Sequence, residues 1–196
     1  MPIIDWTIQT HRPTGLVSLS SQFADFRNLD QPLHGLADRI HCALRLFPCD
    51  ILFVHRDAET CTRDQRISEI EQALHSTDIT RHVKVIPVRM TEAWLLISET
   101  AIRKAAGNPN GDVALDLPLL TRLEQLPDPK EVLRDLLVIA AQFTGRRRNK
   151  FKKELAWRCQ RVADQITDFS PLQNLPAFRS FEQDTRRILH EEFNSG

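Results

Sequence analysis

The 196-residue sequence lacks an apolar run of the roughly 20 residues needed to span a bilayer, and no signal peptide precedes Asp5. Its four cysteines form no Cys-x-x-Cys pair and have no histidine at zinc-ligand spacing, which disfavours a zinc site or a disulfide framework. The absence of a Gly-x-Gly-x-x-Gly or Walker-type loop argues against a nucleotide-binding regulatory domain. These absences favour a cytoplasmic protein with reduced thiols and no membrane partner.

The sequence also has no excess of positively or negatively charged residues. Lys and Arg together number 26, as do Asp and Glu, so the overall charge favours no class of partner and only local clusters are informative. The hydrophobic fraction of 41% is ordinary for a globular protein. A chain of this length has room for one buried core with a helical appendage, and hardly for two full domains.

Apolar runs and helical spacing alternate along the first half of the chain. Strands are predicted at residues 16–20, 51–54 and 83–88, and an N-terminal helix over residues 2–11 is predicted to end before Pro13. Helices opening at Pro32 and at Arg63 separate the strands. This order predicts an α/β fold with a small parallel, Rossmann-like sheet flanked by helices.

The second half of the chain is predicted to be all helical, with helices at residues 130–143, 149–166 and 178–193 after a short helix at 98–106. The predicted division is therefore an α/β domain over residues 1–107 and a helical extension over residues 108–196. Trp94 and Trp157 lie on helices with apolar neighbours, and both are interpreted as core residues.

Carboxylates follow the predicted strands. Asp57 and Glu59 come directly after the buried run at residues 51–54, and Glu92 follows the next strand, in a helix for which Thr91 is the predicted N-cap. Because ligands bind at the carboxyl ends of parallel strands, the three acids are expected to share one edge and to hold Mg²⁺ or Mn²⁺. The alternative is an acidic, solvated turn with no ligand.

Basic side chains flank these acids. Arg56 and Arg89 each lie just past a strand, where they could clamp phosphate oxygens. Alternatively, they neutralise the acids as structural ion pairs. His55 lies at the strand end and is suited to proton transfer by its titration range, although a hydrogen-bonding role within the core edge is the more common one.

A basic run lies in the second half of the chain. Six of the eight residues from 146 to 153 are cationic, which is unfavourable at the start of a helix and indicates a polyanionic partner such as the nucleic-acid backbone. The predicted phosphate-binding residues of this run are Arg146, Arg147, Arg148, Lys150, Lys152 and Lys153. The alternative is a solvated charged face without a partner.

Two blocks of sequence, Leu52 to Glu59 (LFVHRDAE) and Ile86 to Leu96 (IPVRMTEAWLL), resemble the Toprim-like family related to RloB. That family has a strand ending in an Asp-x-Asp or Asp-x-Glu motif and a later Pro-Val-Arg-x-x-Glu-Ala-Trp-Leu-Leu block. The resemblance implies a Toprim-type sheet and a metal-dependent nuclease. Asp57 and Glu59 would then be metal-binding acids, and together with Glu92 they would be the catalytic residues. It also implies an ABC-type or AAA-type ATPase partner in a bacterial anti-phage system.

The resemblance covers residues 1–107 and has one departure from the family pattern. A Toprim domain begins with a strand that ends in an acid, whereas residues 1–6 look like the helix that follows that strand. The expectation is that the sequence starts late and lacks its first strand. If the acid is lost, the alternative function is a catalytically degenerate sensor or scaffold subunit for an ATPase.

Overall fold

The strands predicted around residues 52 and 83 pair with each other. The structure is a computed structural model that describes residues 1–13, 19–29 and 31–193. Strand β1 spans Leu52–His55 and strand β2 spans His82–Val85. They run parallel, with Leu52 opposite His82. Helix α3, Arg63–Leu74, forms the crossover that a parallel pair requires.

Helices make up most of the part of the chain that the structure describes. Its α-helices are α1 (Pro2–His11), α2 (Gly35–Leu46), α3, α4 (Glu99–Ala106), α5 (Pro129–Ala141), α6 (Gly145–Lys153), α7 (Leu155–Gln165) and α8 (Pro176–Phe193). Short 3-10 helices span Thr91–Leu95, Leu120–Gln125 and Ser170–Asn174. None of the described helices is long and apolar enough to cross a membrane.

Both faces of the sheet are covered, as the apolar run of β1 predicts. Leu52 and Val54 face a cluster that contains Ile70 of α3 and residues of α2. Phe53 points to the other side, where its ring centroid lies 6.5 Å from that of Phe181 in α8. Alternate residues of a strand point to opposite faces, so β1 is held between two helical layers.

The larger of the two clusters joins the sheet to the C-terminal helices. Trp94 is fully buried, as predicted, and its ring lies 5.4 Å from Phe178 and 6.2 Å from Phe181, measured between centroids. Trp6 of α1 packs against the same group, 6.4 Å from Phe178. This continuous cluster extends across the predicted domain boundary at residue 107.

Two helices begin and end where local sequence signals place them. The Ser98 hydroxyl accepts the Ala101 N–H at the start of α4, and the helix stops at Gly107, which has a left-handed φ of 79°. At the start of α3, Thr62 and Gln65 form a reciprocal capping box. These caps satisfy backbone groups that would otherwise lack partners.

The predicted start of α2 is wrong. Pro32 does not open the helix, which begins three residues later at Gly35. His34 takes the N-cap position, and its backbone N–H donates to the Asp38 carboxylate at 3.2 Å. The Asp38 side chain therefore stabilises a later start than proline preference alone indicates.

The single helix predicted over residues 149–166 is also wrong. Glu154 separates α6 from α7, with φ and ψ of −95° and −1°. The two helices pack on different partners: Phe151 of α6 lies 5.7 Å from Phe143, whereas α7 packs on α4. The break at Glu154 thus separates the helix whose Phe151 packs on Phe143 from the helix that packs on α4.

The strand predicted at residues 83–88 ends earlier in the structure. The prediction reached residue 88, but β2 ends at Val85, before Pro87, which has no N–H to donate to a sheet ladder. The strand predicted at residues 16–20 falls mostly outside the described residues. Its last two residues, Leu19 and Ser20, have no regular structure.

Candidate functional site

The backbone segments that follow β1 and β2 continue side by side after the strands end. The Arg56 N–H donates to the Val85 carbonyl at 3.0 Å, and the Ala58 N–H donates to the Pro87 carbonyl at 3.0 Å. Pro87 can accept but not donate, so this pairing is irregular. We call residues 55–59 and 89–92 the sheet edge. Its backbone is fixed by hydrogen bonds rather than by a regular ladder.

Asp57 is the best-anchored acid of the sheet edge. Its Oδ1 accepts hydrogen bonds from the Thr91 backbone N–H at 3.0 Å and from the Thr91 hydroxyl at 3.1 Å. His55 Nε2 lies 3.3 Å from the same oxygen and 2.7 Å from the Thr91 hydroxyl. Within the described residues, Oδ2 has no hydrogen-bond partner. One oxygen of Asp57 is therefore oriented by the protein, and the other is available to a ligand.

The predicted role of Thr91 as an N-cap is wrong. Met90 occupies the N-cap of the 3-10 helix Thr91–Leu95, and it makes no side-chain capping bond. Thr91 instead directs both its N–H and its hydroxyl to Asp57 across the sheet edge. The Thr91 hydroxyl therefore donates to a carboxylate, whereas an N-cap hydroxyl accepts a backbone N–H.

The charged form of Asp57 is favoured in the folded protein. Burial raises the pKa of the Asp57 carboxyl, but hydrogen bonding and charge from His55, together with the bonds from Thr91, outweigh burial and lower the pKa below its ordinary value. Asp57 is therefore ionised at neutral pH, as a metal ligand must be.

Glu59 presents an exposed carboxylate from a strained backbone. Its φ is +52°, a left-handed conformation that costs a non-glycine residue about 1 to 2 kcal/mol. Its N–H donates to the Arg89 carbonyl at 3.1 Å, and Arg89 Nη1 donates back to the Glu59 carbonyl at 3.3 Å. Within the described residues, the Glu59 carboxylate makes no hydrogen bond or ion pair. Arg89 is thus held by backbone at the sheet edge and does not neutralise the Glu59 side chain.

Arg56 is engaged by an acid that the sequence analysis missed. Its Nη2 lies 2.8 Å from Glu69 Oε1 in α3, and Arg66 Nη1 lies 2.7 Å from the other oxygen of Glu69. Burial raises the pKa of Glu69, but hydrogen bonds from the two arginines outweigh it and lower the pKa. Arg66 also donates to the Asp57 carbonyl at 3.0 Å. Arg56 is therefore in a structural ion pair, with Glu69 rather than with Asp57 or Glu59.

Glu92 is turned toward the helical half of the protein. Lys130 Nζ of α5 lies 3.7 Å from its carboxylate, which is 20% exposed. Burial raises the pKa of Cys159 in α7, and the charge of Glu92 raises it further. In the described ranges, no group of three or more His, Cys, Asp or Glu side chains could hold a metal ion. Asp57, Glu59 and Glu92 are therefore not brought together as one set of ligands.

The acids of the sheet edge have the donor chemistry of one type of metal site. Mg²⁺ commonly takes one or two protein carboxylates and completes its octahedron with water and substrate phosphate. Among the described residues, no group bonds to one carboxylate oxygen of Asp57 or to the carboxylate of Glu59, and free carboxylate oxygens are the donors that this arrangement uses. A cage of three carboxylates that includes Glu92 does not fit, because Glu92 faces Lys130.

The predicted basic run forms an exposed helix. Helix α6 contains all six cationic residues of the run, and every one is exposed. Within the described part of the chain, none of these six side chains makes an ion pair. The guanidinium of Arg147 lies over the Phe143 ring, 5.3 Å from its centroid. The positive charge of α6 is therefore open to an anionic partner.

The interpretation of Trp157 as a core residue is wrong, since its exposed fraction is 52%. Helix α7 turns Cys159 and Val162 into the core, which leaves Trp157 on the opposite face. The guanidinium of Arg161, one turn later, lies 5.0 Å from the Trp157 ring centroid. The aromatic–cation spacing of Trp157 and Arg161 was visible in the sequence. We call α6 together with residues 155–161 of α7 the basic surface.

Comparisons of the chain with protein families, with characterised proteins and with solved structures find no match. The resemblance to the RloB-related Toprim-like family, the nuclease activity and the ATPase partner therefore stay predictions. The geometry of the sheet edge and of the basic surface is what supports a function.

Proposed function

We propose that this protein is a Mg²⁺-dependent nuclease that hydrolyses phosphodiester bonds, within a bacterial defence system of the kind that the sequence resemblance implies. The observation that supports this most directly is the state of Asp57. Its carboxylate lies at the carboxyl end of a parallel strand and is held through Oδ1 by Thr91 and His55, while Oδ2 has no partner in the part of the chain that the structure describes. Such anchoring orients a metal ligand before the metal arrives.

In this proposal, Asp57 and Glu59 hold the ion, either Mg²⁺ or Mn²⁺. When bound, the ion would polarise a phosphate oxygen and favour deprotonation of an attacking water. In this arrangement, Thr91 and His55 position Asp57. The hydrogen bond between the Thr91 hydroxyl and His55 Nε2, 2.7 Å long, provides a route for a proton near the site. Arg89 lies beside Glu59 and is available to phosphate through its remaining donors, whereas Arg56 is occupied by Glu69.

The basic surface supplies the affinity for the nucleic-acid backbone in this proposal. Arg146, Arg147, Arg148, Lys150, Lys152 and Lys153 are exposed, and cations placed along one helix neutralise successive phosphates. Contacts of this type give affinity without sequence specificity.

A divalent-metal titration combined with plasmid nicking tests the nuclease proposal. Calorimetry with Mg²⁺ and Mn²⁺ would compare the wild type with D57N/E59Q. The control, E131Q/D135N, removes the same amount of charge from exposed positions of α5. We expect metal binding and nicking in the wild type and in the control, and the loss of both in D57N/E59Q. Nicking that survives in D57N/E59Q would contradict the proposal.

A second candidate is a non-catalytic nucleic-acid-binding subunit that acts as a sensor or scaffold for an ABC-type or AAA-type ATPase. The observation that favours it is the pairing of Glu92 with Lys130, which leaves two acids at the sheet edge. This candidate predicts neither metal uptake nor nicking in the titration. It also predicts that the protein still binds an oligonucleotide. Glu92 as a third catalytic acid remains a prediction.

A further inference from the structure

Trp157 is held in a defined place although it is exposed. The Arg158 guanidinium donates to Glu154 and to the Ala105 carbonyl, at 2.8 Å in each case. The same group lies 4.3 Å from the Phe151 ring centroid and 5.6 Å from that of Trp157. Arg158, which is partly buried, therefore links the indole to Phe151 of α6. Trp157 stands at the junction of the two helices of the basic surface.

The surroundings of Trp157 are positively charged. Lys152 and Lys153 precede it at the end of α6, and Arg161 follows it one turn later in α7. Single exposed apolar residues are ordinary on protein surfaces, so it is the combination of the indole with neighbouring cations that indicates a partner. The positive charge around Trp157 favours an anionic partner, and the flat indole ring favours a partner with π-faces.

Single-stranded nucleic acid has both properties. Its phosphates match the cations, and its unpaired bases expose π-faces that stack on aromatic side chains in a sequence-tolerant way. In a duplex the same faces are stacked on neighbouring bases, so the indole would contribute little to duplex binding.

We propose that the basic surface binds single-stranded nucleic acid, with Trp157 as a platform on which an unpaired base stacks. The inference rests on the nucleic-acid binding of the proposed function and names the form of the substrate. Arg161 extends the platform, since guanidinium planes also stack on bases. Lys150, Lys152 and Lys153 contact the adjoining phosphates.

The test is fluorescence polarisation with labelled oligothymidylate and oligouridylate of about 12 nucleotides, within the usual site size of roughly 4 to 16. The third probe is a duplex of the same length, and EDTA suppresses cleavage. We expect W157A to weaken single-strand binding by roughly 5- to 150-fold, and W157F to recover part of it. Duplex binding should be unchanged. The control is I139A, which shortens another exposed apolar residue, in α5. The two single-stranded probes distinguish DNA from RNA.

Intrinsic fluorescence gives a readout that a structural role would not change. Of the three tryptophans, Trp94 is fully buried and Trp6 is partly buried against Phe169 and Phe178. A base stacked on the basic surface therefore quenches chiefly Trp157, and that part of the quenching should disappear in W157F. Binding that is equal for both forms and insensitive to W157A would overturn the stacking inference while leaving nucleic-acid binding intact. If no probe binds to the wild type, the nucleic-acid part of the proposed function fails as well.

Discussion

The sheet edge and the basic surface differ in whether their charged side chains are paired within the protein. At the sheet edge, Arg56 is paired with Glu69, Glu92 with Lys130, and Asp57 with His55 and Thr91. On the basic surface, six exposed cations of α6 have no ion-pair partner among the described residues. Charges that are paired within the protein hold its parts together, whereas unpaired charges are available to a ligand.

This difference separates two roles that the sequence pattern could not distinguish. Arg56 and Lys153 both look like phosphate-binding residues, but Arg56 is committed to Glu69 and Lys153 is open to solvent. At the sheet edge, the groups without a partner among the described residues include the Glu59 carboxylate, one oxygen of Asp57 and the remaining donors of Arg89. We therefore expect the two regions to respond differently to substitution.

The largest expected effect concerns the cations of α6. The triple variant K150Q/K152Q/K153Q should bind single-stranded oligonucleotide about 100-fold more weakly at 0.1 M salt, because each lost phosphate contact lowers the salt slope by about 0.7. The measurement is affinity as a function of salt concentration. The control K84Q/K104Q/K130Q removes the same charge from the other lysines, two of which are paired with Glu71 and Glu92. An equal loss in the control would remove the distinction between the two regions.

The next effect concerns the paired acid Glu69. E69A leaves Arg56 and Arg66 without their partner and should lower the free energy of unfolding by about 1 to 2 kcal/mol. Nucleic-acid affinity should not change. Urea denaturation measures the loss. In E131A, which removes a 59% exposed acid with a 3.6 Å contact to Arg134, the loss should stay below about 0.5 kcal/mol. A weaker effect in E69A than in E131A would show that the Glu69 pairs are not structural.

A smaller effect is expected for the hydroxyl of Thr91. T91V removes the hydrogen bonds to Asp57 and His55 and should cost about 1 kcal/mol of unfolding free energy. It should also raise the pKa of Asp57, because one group that stabilises the carboxylate is lost. Denaturation and carboxyl NMR titration measure the two quantities. T91S retains the hydroxyl and should resemble the wild type, whereas an equal loss in T91S and T91V would show that the hydroxyl alone does not account for the stability.

The smallest effect is the pH dependence that Asp57 contributes. Its pKa is lowered in the folded protein, so its stabilisation is fully present above the unfolded value of about 3.9 and is lost as pH falls through the folded value. The amount should be below about 1 kcal/mol because Asp57 is partly exposed. The difference between the unfolding free energies of wild type and D57N, measured from pH 6 downward, should shrink as pH falls through the folded pKa of Asp57. A constant difference across this range would show that Asp57 makes no ionic contribution.

Much of the fold follows from local patterns in the sequence. The apolar run of β1, the caps of α4 and the spacing of α1 identify their elements, because each signal acts over a few residues. The break between α6 and α7 could not be predicted in this way. Phe151, Leu155, Cys159 and Val162 keep helical spacing across it, and only the packing partners differ. The start of α2 depends likewise on the particular bond between Asp38 and His34.

The candidate site was predictable in its position but not in its pairing. Strand ends place Asp57, Glu59 and Arg89 at one edge, as the sequence indicates. The bond from Thr91 to Asp57 joins residues 34 apart in the sequence, and the ion pair of Arg56 with Glu69 depends on the direction of α3. Such contacts depend on tertiary structure. The apolar neighbours of Trp157 indicate a core position, whereas its exposure agrees with the cations on either side of it in the sequence.

Lysine acylation mapped by mass spectrometry, with and without a single-stranded oligonucleotide, tests the contrast between the two regions most directly. Lys150, Lys152 and Lys153 report on the basic surface, whereas Lys84 and Lys130 are paired with Glu71 and Glu92. We predict that the oligonucleotide protects the three lysines of α6 and leaves Lys84 and Lys130 unchanged. Full reactivity of the α6 lysines in the complex, with protection at Lys130, would place the nucleic acid at the sheet edge and contradict the account.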